Sequence, residues 1–284
     1  MSADVHPYLV GAACPRVLAH RGFVPEALAA RGIVENSRAA IAAAVEAGAA
    51  YVETDCHLTA DGAVVLAHDA DLARVFGDPR TVAEISRVEL AALMADHGGL
   101  LTLAEALEAH PRTRFNLDVK AAAAAEPAGR IVAPHAERVL VTSFAESYRL
   151  AALAAAMREI AIRDRGARDA GGARSRGEGS LSRVGRPATS PGQAALTRIL
   201  LASVTRSRGR LDRLLDGFDA LQIPERHRGV PVLTRRLLGE AHRREVEVHV
   251  WTVNDPQRMA ELVELGVDGV ITDRADLGLA TLGG

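Results

Sequence analysis

At 284 residues, 48% of them hydrophobic, the chain is long enough to bury a large core, and one α/β barrel domain accommodates the whole of 1–284. With 34 basic and 36 acidic side chains the net charge is −2, so no global field selects nucleic acid or an anionic membrane, and a partner must be recognised by local sites. Two cysteines, Cys14 and Cys56, exclude a disulfide framework and a metal knuckle, and no apolar run reaches the ~18 residues of a membrane span. The N-terminus lacks a basic segment ahead of a long apolar core, so the default expectation is a soluble, cytoplasmic protein without an integral membrane segment.

Residues 16–20 read as a short buried strand ending in His20-Arg21-Gly22, and a loop with Pro25 and Gly32 follows. Glu35-Asn36-Ser37 then opens a helix over 38–47, with Asn36 or Ser37 as N-cap and Gly48 at the C′ position. Residues 50–55 form the second strand. Asp61-Gly62 joins it to a return strand over 63–68, since both residues tolerate positive φ and suit a two-residue hairpin turn. If Ala60 pairs with Ala63, the register sets Asp55 opposite His68. Glu53, Asp55 and His57 share one strand face, so the fold-back puts an imidazole beside two carboxylates. An ordinary hairpin with a solvated polar face fits these residues, taken alone, equally well.

Within 70–100, residues 71–74 read as loop and 82–94 as one or two amphipathic helical turns before Gly98-Gly99, a segment that would make a lid above a strand end. Thr102-Leu-Ala-Glu105 is a capping box for a helix over 103–109. Residues 114–120 alternate, with Asn116, Asp118 and Lys120 on the polar face, which is a site inside a barrel mouth and merely wet on an edge strand. A strand over 139–143 and an Ala-rich helix over 146–158 come next. From 163 to 186, seven Arg, three acidic residues and six Gly without an aromatic cannot offset their ordering entropy, which predicts a disordered, solvated basic insertion. Beyond it, 187–192 resembles a strand end and turn, 193–203 a helix, 218–223 a strand, 234–244 a helix and 247–253 a strand carrying Trp251. Asp255-Pro256 starts a helix that stops at Gly266, and 267–272 is the last strand.

Strand ends fall at His20, Asp55, Lys120, Ser143, the Thr189 region, Ile223, Val253 and Asp273. Eight parallel strands joined mostly by helices describe a single (β/α)8 TIM-type barrel with a β-hairpin extension after strand 2, its site at the C-terminal strand ends. Lysine occurs only at Lys120, tryptophan only at Trp251, and asparagine only at Asn36, Asn116 and Asn254, beside 33 arginines. Compositional chance aside, such survivors mark positions where the specific group matters. Glu53, Asp55 and Asp118 would repel one another at one mouth unless protonated or bound to a cation, and this donor set suits Mg2+ or Ca2+. Ion pairs with Arg21 and Lys120 are the alternative, and both readings hold if those cations meet a substrate phosphate. His20 and His68, flanking the same point, could serve as a base and acid pair near neutral pH.

His20-Arg21-Gly22, Glu35-Asn36-Ser37, Glu53-x-Asp55, Thr59-x-Asp61-Gly62, His68-Asp69, Asn116-x-Asp118-x-Lys120, Ser143-Phe144, Trp251-Thr252-Val253-Asn254 and Gly269-Val-Ile-Thr-Asp273 together resemble the glycerophosphodiester phosphodiesterase family. Order and spacing match across nearly the whole chain. The resemblance implies metal-dependent hydrolysis of a small-molecule glycerophosphodiester to glycerol 3-phosphate and an alcohol. It implies Glu53 and Asp55 as metal ligands with Asp118 where the family usually has Glu, and His20 and His68 as the acid/base pair, His20 the base by analogy with related barrel phosphodiesterases. It further implies Arg21 and Lys120 as phosphate contacts, Trp251 as a wall beside the glycerol, and Glu35 and Asn36 as orienting or phosphate-contacting groups. Two rivals stand beside it: a lysophospholipase D-type hydrolase on the same fold, with an acyl track under 70–100, and a non-catalytic phosphate-ligand binding barrel.

Overall fold

Short β-branched and leucine-containing runs, each closed by a glycine or a polar turn, form the strands of a parallel barrel. The computed structural model describes residues 5–169, 185–205 and 208–283. The strands of its main sheet are β1 (Arg16–His20), β2 (Tyr51–Leu58), β3 (Val64–Leu66), β4 (Arg114–Val119), β5 (Val139–Thr142), β6 (Ala188–Thr189), β7 (Ala220–Pro224), β8 (Glu247–Trp251) and β9 (Gly269–Thr272), and two short hairpin sheets, Asp71–Leu72 with Asp78–Thr81 and Arg226–His227 with Val230–Pro231, lie outside it. The spatial order in the main sheet is β6-β5-β4-β2-β1-β9-β8-β7, all parallel, with β3 folded back antiparallel on β2. Between β6 and β7 no ladder forms among the described residues. Asp219 closes this seam instead: its amide donates to the Thr189 carbonyl at 2.9 Å, and its carboxylate accepts the Thr189 amide at 2.8 Å and pairs with Arg186 at 2.7 Å. The result is a nearly closed eight-stranded barrel wrapped by helices, as expected.

Helix starts follow their caps. Ser37 accepts from the Ala40 amide at 3.1 Å to open Arg38–Glu46, and Thr102 with Glu105 makes the expected capping box. Asp255 caps Pro256–Glu264 through the Arg258 amide. No element is expected from the sequence between 120 and 139; a helix, Ala122–Val132, forms there with Pro127 in its interior, a residue that ordinarily breaks helices. It is held by packing against Glu146–Asp169, where Gly129 lies so close to the Ala152 carbonyl that a Cβ would stand 2.1 Å from that oxygen. That second helix also runs further than expected, through 163–169. Most of the Arg/Gly-rich stretch, 170–184, lies outside the described residues, and Arg186 at its far edge is seated on Asp219.

The hairpin differs by one residue. Cys56 pairs with Leu66 and Leu58 with Val64, and the Thr59 amide donates to Ala63 at 3.0 Å, so the loop is the three residues Ala60-Asp61-Gly62. Thr59 sets this length: its hydroxyl donates to Asp61 at 2.6 Å and accepts the Ala63 amide at 3.0 Å, while Gly62 takes φ +82°. Such a three-residue loop with a glycine in the left-handed region is a common hairpin connection. Ala67, not His68, is therefore opposite Asp55, and its amide donates to the Asp55 carbonyl at 3.1 Å. Leu72, Val82, Ile85, Leu90, Met94 and Leu100 pack with Val65 of the hairpin as a satellite core outside the barrel. No helix among the described residues is long and apolar enough to cross a membrane.

At the N-terminal end the barrel is plugged. Tyr8 is fully buried, edge-on to Tyr51 with ring centroids 5.2 Å apart. Arg16 binds both Glu247 oxygens at 2.6 Å, the Tyr51 hydroxyl at 2.7 Å and the Leu9 carbonyl at 2.6 Å, and Glu247 also accepts from His249 at 3.0 Å. Burial alone would raise the Glu247 carboxyl, but the hydrogen bonds from Arg16 and His249 outweigh it and bring it down to about 2. Replacing Arg16 by Met strands this carboxylate, and urea unfolding near neutral pH should show a loss of about 3–5 kcal/mol. Because the folded-state pKa is depressed, the stabilisation from Glu247 is complete above the ordinary carboxylate value of about 4.3 and disappears as pH falls toward 2. The difference between wild type and the variant should therefore shrink across that window; a constant difference would refute the role given to the pair.

Candidate active site

At the opposite end, the C-terminal strand ends enclose a cavity of about 440 Å3. Inward-facing positions recur every second residue, so Arg16, Leu18 and His20 climb one stripe from the plug to this mouth, as do Tyr51, Glu53 and Asp55. His20, Arg21, Glu53, Asp55, His68, Asp118, Lys120 and Trp251 all line the cavity. Glu35 and Asn36 do not. No residue of 70–100 lines it either.

His20-Arg21-Gly22 is a reversal at the end of β1. Gly22 has φ +87°, and a Cβ there would meet the Ala40 backbone at 2.7 Å, so only glycine lets the chain turn against the following helix. Arg21 itself sits at φ +56° and donates its amide to Glu53 at 3.1 Å. Its guanidinium lies 3.2 Å from Asp55 and 2.8 Å from Glu35. Lys120 bridges Asp55 at 3.0 Å and Asp118 at 2.7 Å. Behind them Asn36, 2% exposed, donates to Asp55 at 3.1 Å and accepts from Thr54 at 2.7 Å, which fixes the orientation of the Asp55 carboxylate.

Three carboxylates face two cations here. Burial, then the charges of Asp55 and Asp118, push the Glu53 carboxyl well above its ordinary range, and burial raises Asp118 despite Lys120. Burial would lower the Lys120 ammonium, but Asp55 and Asp118 outweigh it and the net shift is upward. Asp118 Oδ1 is buried without a hydrogen-bond partner among the described residues. Surplus negative charge and an orphaned hard oxygen fit a divalent cation in chemistry. As placed, no three acidic, cysteine or imidazole side chains among the described residues form a group able to hold one ion, and the Lys120 amine stands between Asp55 and Asp118.

Of the three histidines lining the cavity, His20, His68 and His227, the first two are each turned by a carboxylate. His20 Nδ1 is 2.6 Å from Asp273, which also accepts from Asn254 at 2.8 Å, while Asn254 accepts the Asp273 amide at 2.9 Å. His68 Nδ1 is 2.7 Å from Asp69. The hydrogen bond from His20 holds the Asp273 carboxyl below its ordinary value. For Asp69, burial pulls upward but the bonds from His68 and Arg74 prevail. With Nδ1 engaged, Nε2 is the nitrogen each ring has left for chemistry. His57 is not part of this pair: it is buried, its Nε2 is bonded to the His68 carbonyl at 3.1 Å, and burial lowers its pKa.

One side of the remaining wall is apolar. Leu196 and Leu200, one turn apart on the helix Gln193–Val204, face the cavity with Phe144, Val232 and Trp251. Phe144 stands edge-on to Trp251 at 6.0 Å and stacks against the Lys120 ammonium at 5.3 Å. Sequence reasoning counted Asp273 as a strand end and noted Asn254 for its rarity without giving either a partner. It missed the leucine wall, whose spacing is indistinguishable from an ordinary core stripe.

The family model described as "Glycerophosphoryl diester phosphodiesterase family" matches residues 20–163 and 180–277. A "probable glycerophosphodiester phosphodiesterase 2" of Mycobacterium tuberculosis is 33% identical over 264 residues, which is 92% of this chain and 88% of that protein. Among solved structures, the glycerophosphodiester phosphodiesterase of Thermotoga maritima superposes with a TM-score of 0.62 at 24% identity, covering 93% of this chain and 96% of that one. A phosphodiesterase of Oleispira antarctica, solved in complex with its product sn-glycerol-3-phosphate, superposes at 0.61 with 19% identity over 95% of this chain and 98% of that one.

Proposed function

The chain belongs to the glycerophosphoryl diester phosphodiesterase family and is a glycerophosphodiester phosphodiesterase, and on that premise we propose how its cavity divides the work within a single barrel domain. Arg21 and Lys120 meet the phosphate, where charge-assisted bonds to its oxygens are stronger than neutral ones. His20 Nε2 takes the proton of the glycerol 2-hydroxyl as that oxygen attacks phosphorus. His68 Nε2 gives a proton to the departing alcohol as its P–O bond breaks. Water then opens the cyclic phosphate with the roles reversed: His68 receives the proton of water and His20 returns one to the 2-oxygen, leaving glycerol 3-phosphate. Glu53, Asp55 and Asp118 would hold Mg2+ or Ca2+, which when bound supplies further neutralisation of phosphoryl charge. Asn36 and Glu35 act behind this layer, orienting Asp55 and Arg21. Trp251 walls the glycerol.

What supports these roles above all is the pair of imidazoles lining one cavity, each fixed at Nδ1 by its own carboxylate. His20→Ala and His68→Ala should each lower turnover of glycerophosphocholine by about 10²–10⁴-fold, the usual range for losing a general acid or base, with little change in melting temperature. Retained turnover in both variants would refute the assignment. For the metal, a glycerophosphodiester panel should lose hydrolysis in EDTA and regain it with added Mg2+ or Ca2+, and Asp118→Asn should raise the concentration needed. Hydrolysis unchanged by EDTA would remove the ion from the scheme.

A second reading has an observation of its own. The apolar side of the cavity suits a glycerol that carries an acyl chain, as in a lysophospholipase D reaction, but the track runs along Leu196 and Leu200 rather than under 70–100, which lines no part of the cavity and packs most of its large apolar side chains into its own core. Burying a methylene is worth about 0.8 kcal/mol, so a few contacts change affinity more than tenfold. On this reading Leu200→Asp lowers kcat/KM for a lysophosphatidylcholine at least about tenfold and leaves glycerophosphocholine nearly unchanged. Equal effects on both substrates would leave only the polar diester.

A further inference from the structure

The segment 70–100 lines no part of the cavity, yet one of its side chains reaches the catalytic layer from behind. Arg74 lies on a short helix, Ala73–Phe76, outside the barrel. Its Nε is 2.5 Å from Asp69 Oδ2, the carboxylate whose other oxygen binds His68 Nδ1 at 2.7 Å. Its Nη2 is 2.5 Å from Glu35, which also accepts from Arg21 at 2.8 Å. An unbroken row of alternating charge therefore runs Arg21, Glu35, Arg74, Asp69 and ends on the His68 ring.

We propose that Arg74 is a positioning residue: it clamps Asp69 against the Glu35 anchor and thereby holds the His68 ring with Nε2 toward the leaving alcohol. Around His68 the main chain is pinned, the Ala67 amide on the Asp55 carbonyl and the His68 carbonyl on His57 Nε2, but none of these bonds reaches the His68 ring. The Asp69 side chain, which turns that ring, has Arg74 as its other side-chain partner. Glu35 follows a loop pinned by backbone bonds, including the Asn36 amide to the Arg21 carbonyl at 2.8 Å. The planar guanidinium is suited to spanning two carboxylates at a fixed angle, which an ammonium does not reproduce. Arg74 is 54% exposed, so its contribution to stability is small and its consequence is geometric.

This assignment rests on His68 being the general acid, and leaving-group chemistry separates the two. An alkyl alcohol departs only with a proton, whereas p-nitrophenolate departs without one. The measurement is single-turnover release of alcohol from glycerophosphoethanol and from glycerophospho-p-nitrophenol, by wild type, Arg74→Ala, Arg74→Lys and His68→Ala, with melting temperatures alongside. Arg74→Ala should slow the alkyl substrate by about 10–100-fold more than the nitrophenyl one, within the range general acid catalysis supplies. Arg74→Lys should fall between it and wild type, and the melting temperatures should agree within about 2–4 °C. The ratio between substrates cancels any shared effect on phosphate binding through Arg21. If His68→Ala shows the leaving-group dependence and Arg74→Ala does not, the role of Arg74 is refuted. If neither does, His68 is not the acid, and the reading beneath falls with it.

Discussion

Asp55 is 1% exposed, and its two oxygens are shared by Lys120, Arg21 and Asn36. A carboxylate taken out of water this completely persists only if it is paired and hydrogen-bonded. Each of the three groups that satisfy it comes from a different stretch of chain, and each stretch is shaped by having to deliver its group. Arg21 arrives through a left-handed residue followed by a glycine that no side chain could replace. Asn36 arrives at φ +58° just ahead of the Ser37 cap, and Lys120 from the end of β4. The reversal after β1, the start of the helix that follows, and the tip of β4 thus meet on one buried anion.

The same inward stripes serve two purposes at the two ends of the barrel. Near the N-terminal end they carry Arg16, Tyr51 and Glu247, whose groups satisfy one another and exclude solvent. At the mouth they carry His20, Asp55, Asp118 and Trp251, where Asp118 Oδ1 is left without a partner among the described residues and Glu53 stays hard to ionise. A closed polar network is structural; an unsettled one is where ligands bind and protons move. Orphaned atoms occur at both ends, since the Tyr8 hydroxyl and His249 Nδ1 are also buried without hydrogen-bond partners among the described residues; what sets the mouth apart is unsettled carboxylate charge beside an open cavity.

Much of this was legible beforehand for a physical reason. Strand alternation, caps and glycine stops are local, so β1, β4, the Thr102 capping box and the Asp255 cap could be read one window at a time. Lys120, Trp251 and Asn36 stood out because the composition spends those types so sparingly. What escaped depends on distant partners. The hairpin register turned on the Thr59 hydroxyl taking up Asp61, and the helix Ala122–Val132 tolerates Pro127 because an alanine and glycine face packs closely on its neighbour. Arg74 looked like one more loop arginine among 33, and only folding brings Glu35 to its other side.

The seam between β6 and β7 gives the barrel an uneven circumference. Elsewhere the hoop is woven from main-chain bonds, which no side-chain change can cut; at the seam it is buckled by Asp219 and tightened by Arg186. At this clasp one carboxyl group, with the Asp219 amide on Thr189 and the Gln222 amide on the Ser190 hydroxyl beside it, takes the place of the row of peptide contacts found elsewhere, so the closure of the wall is open to loss through a side chain there.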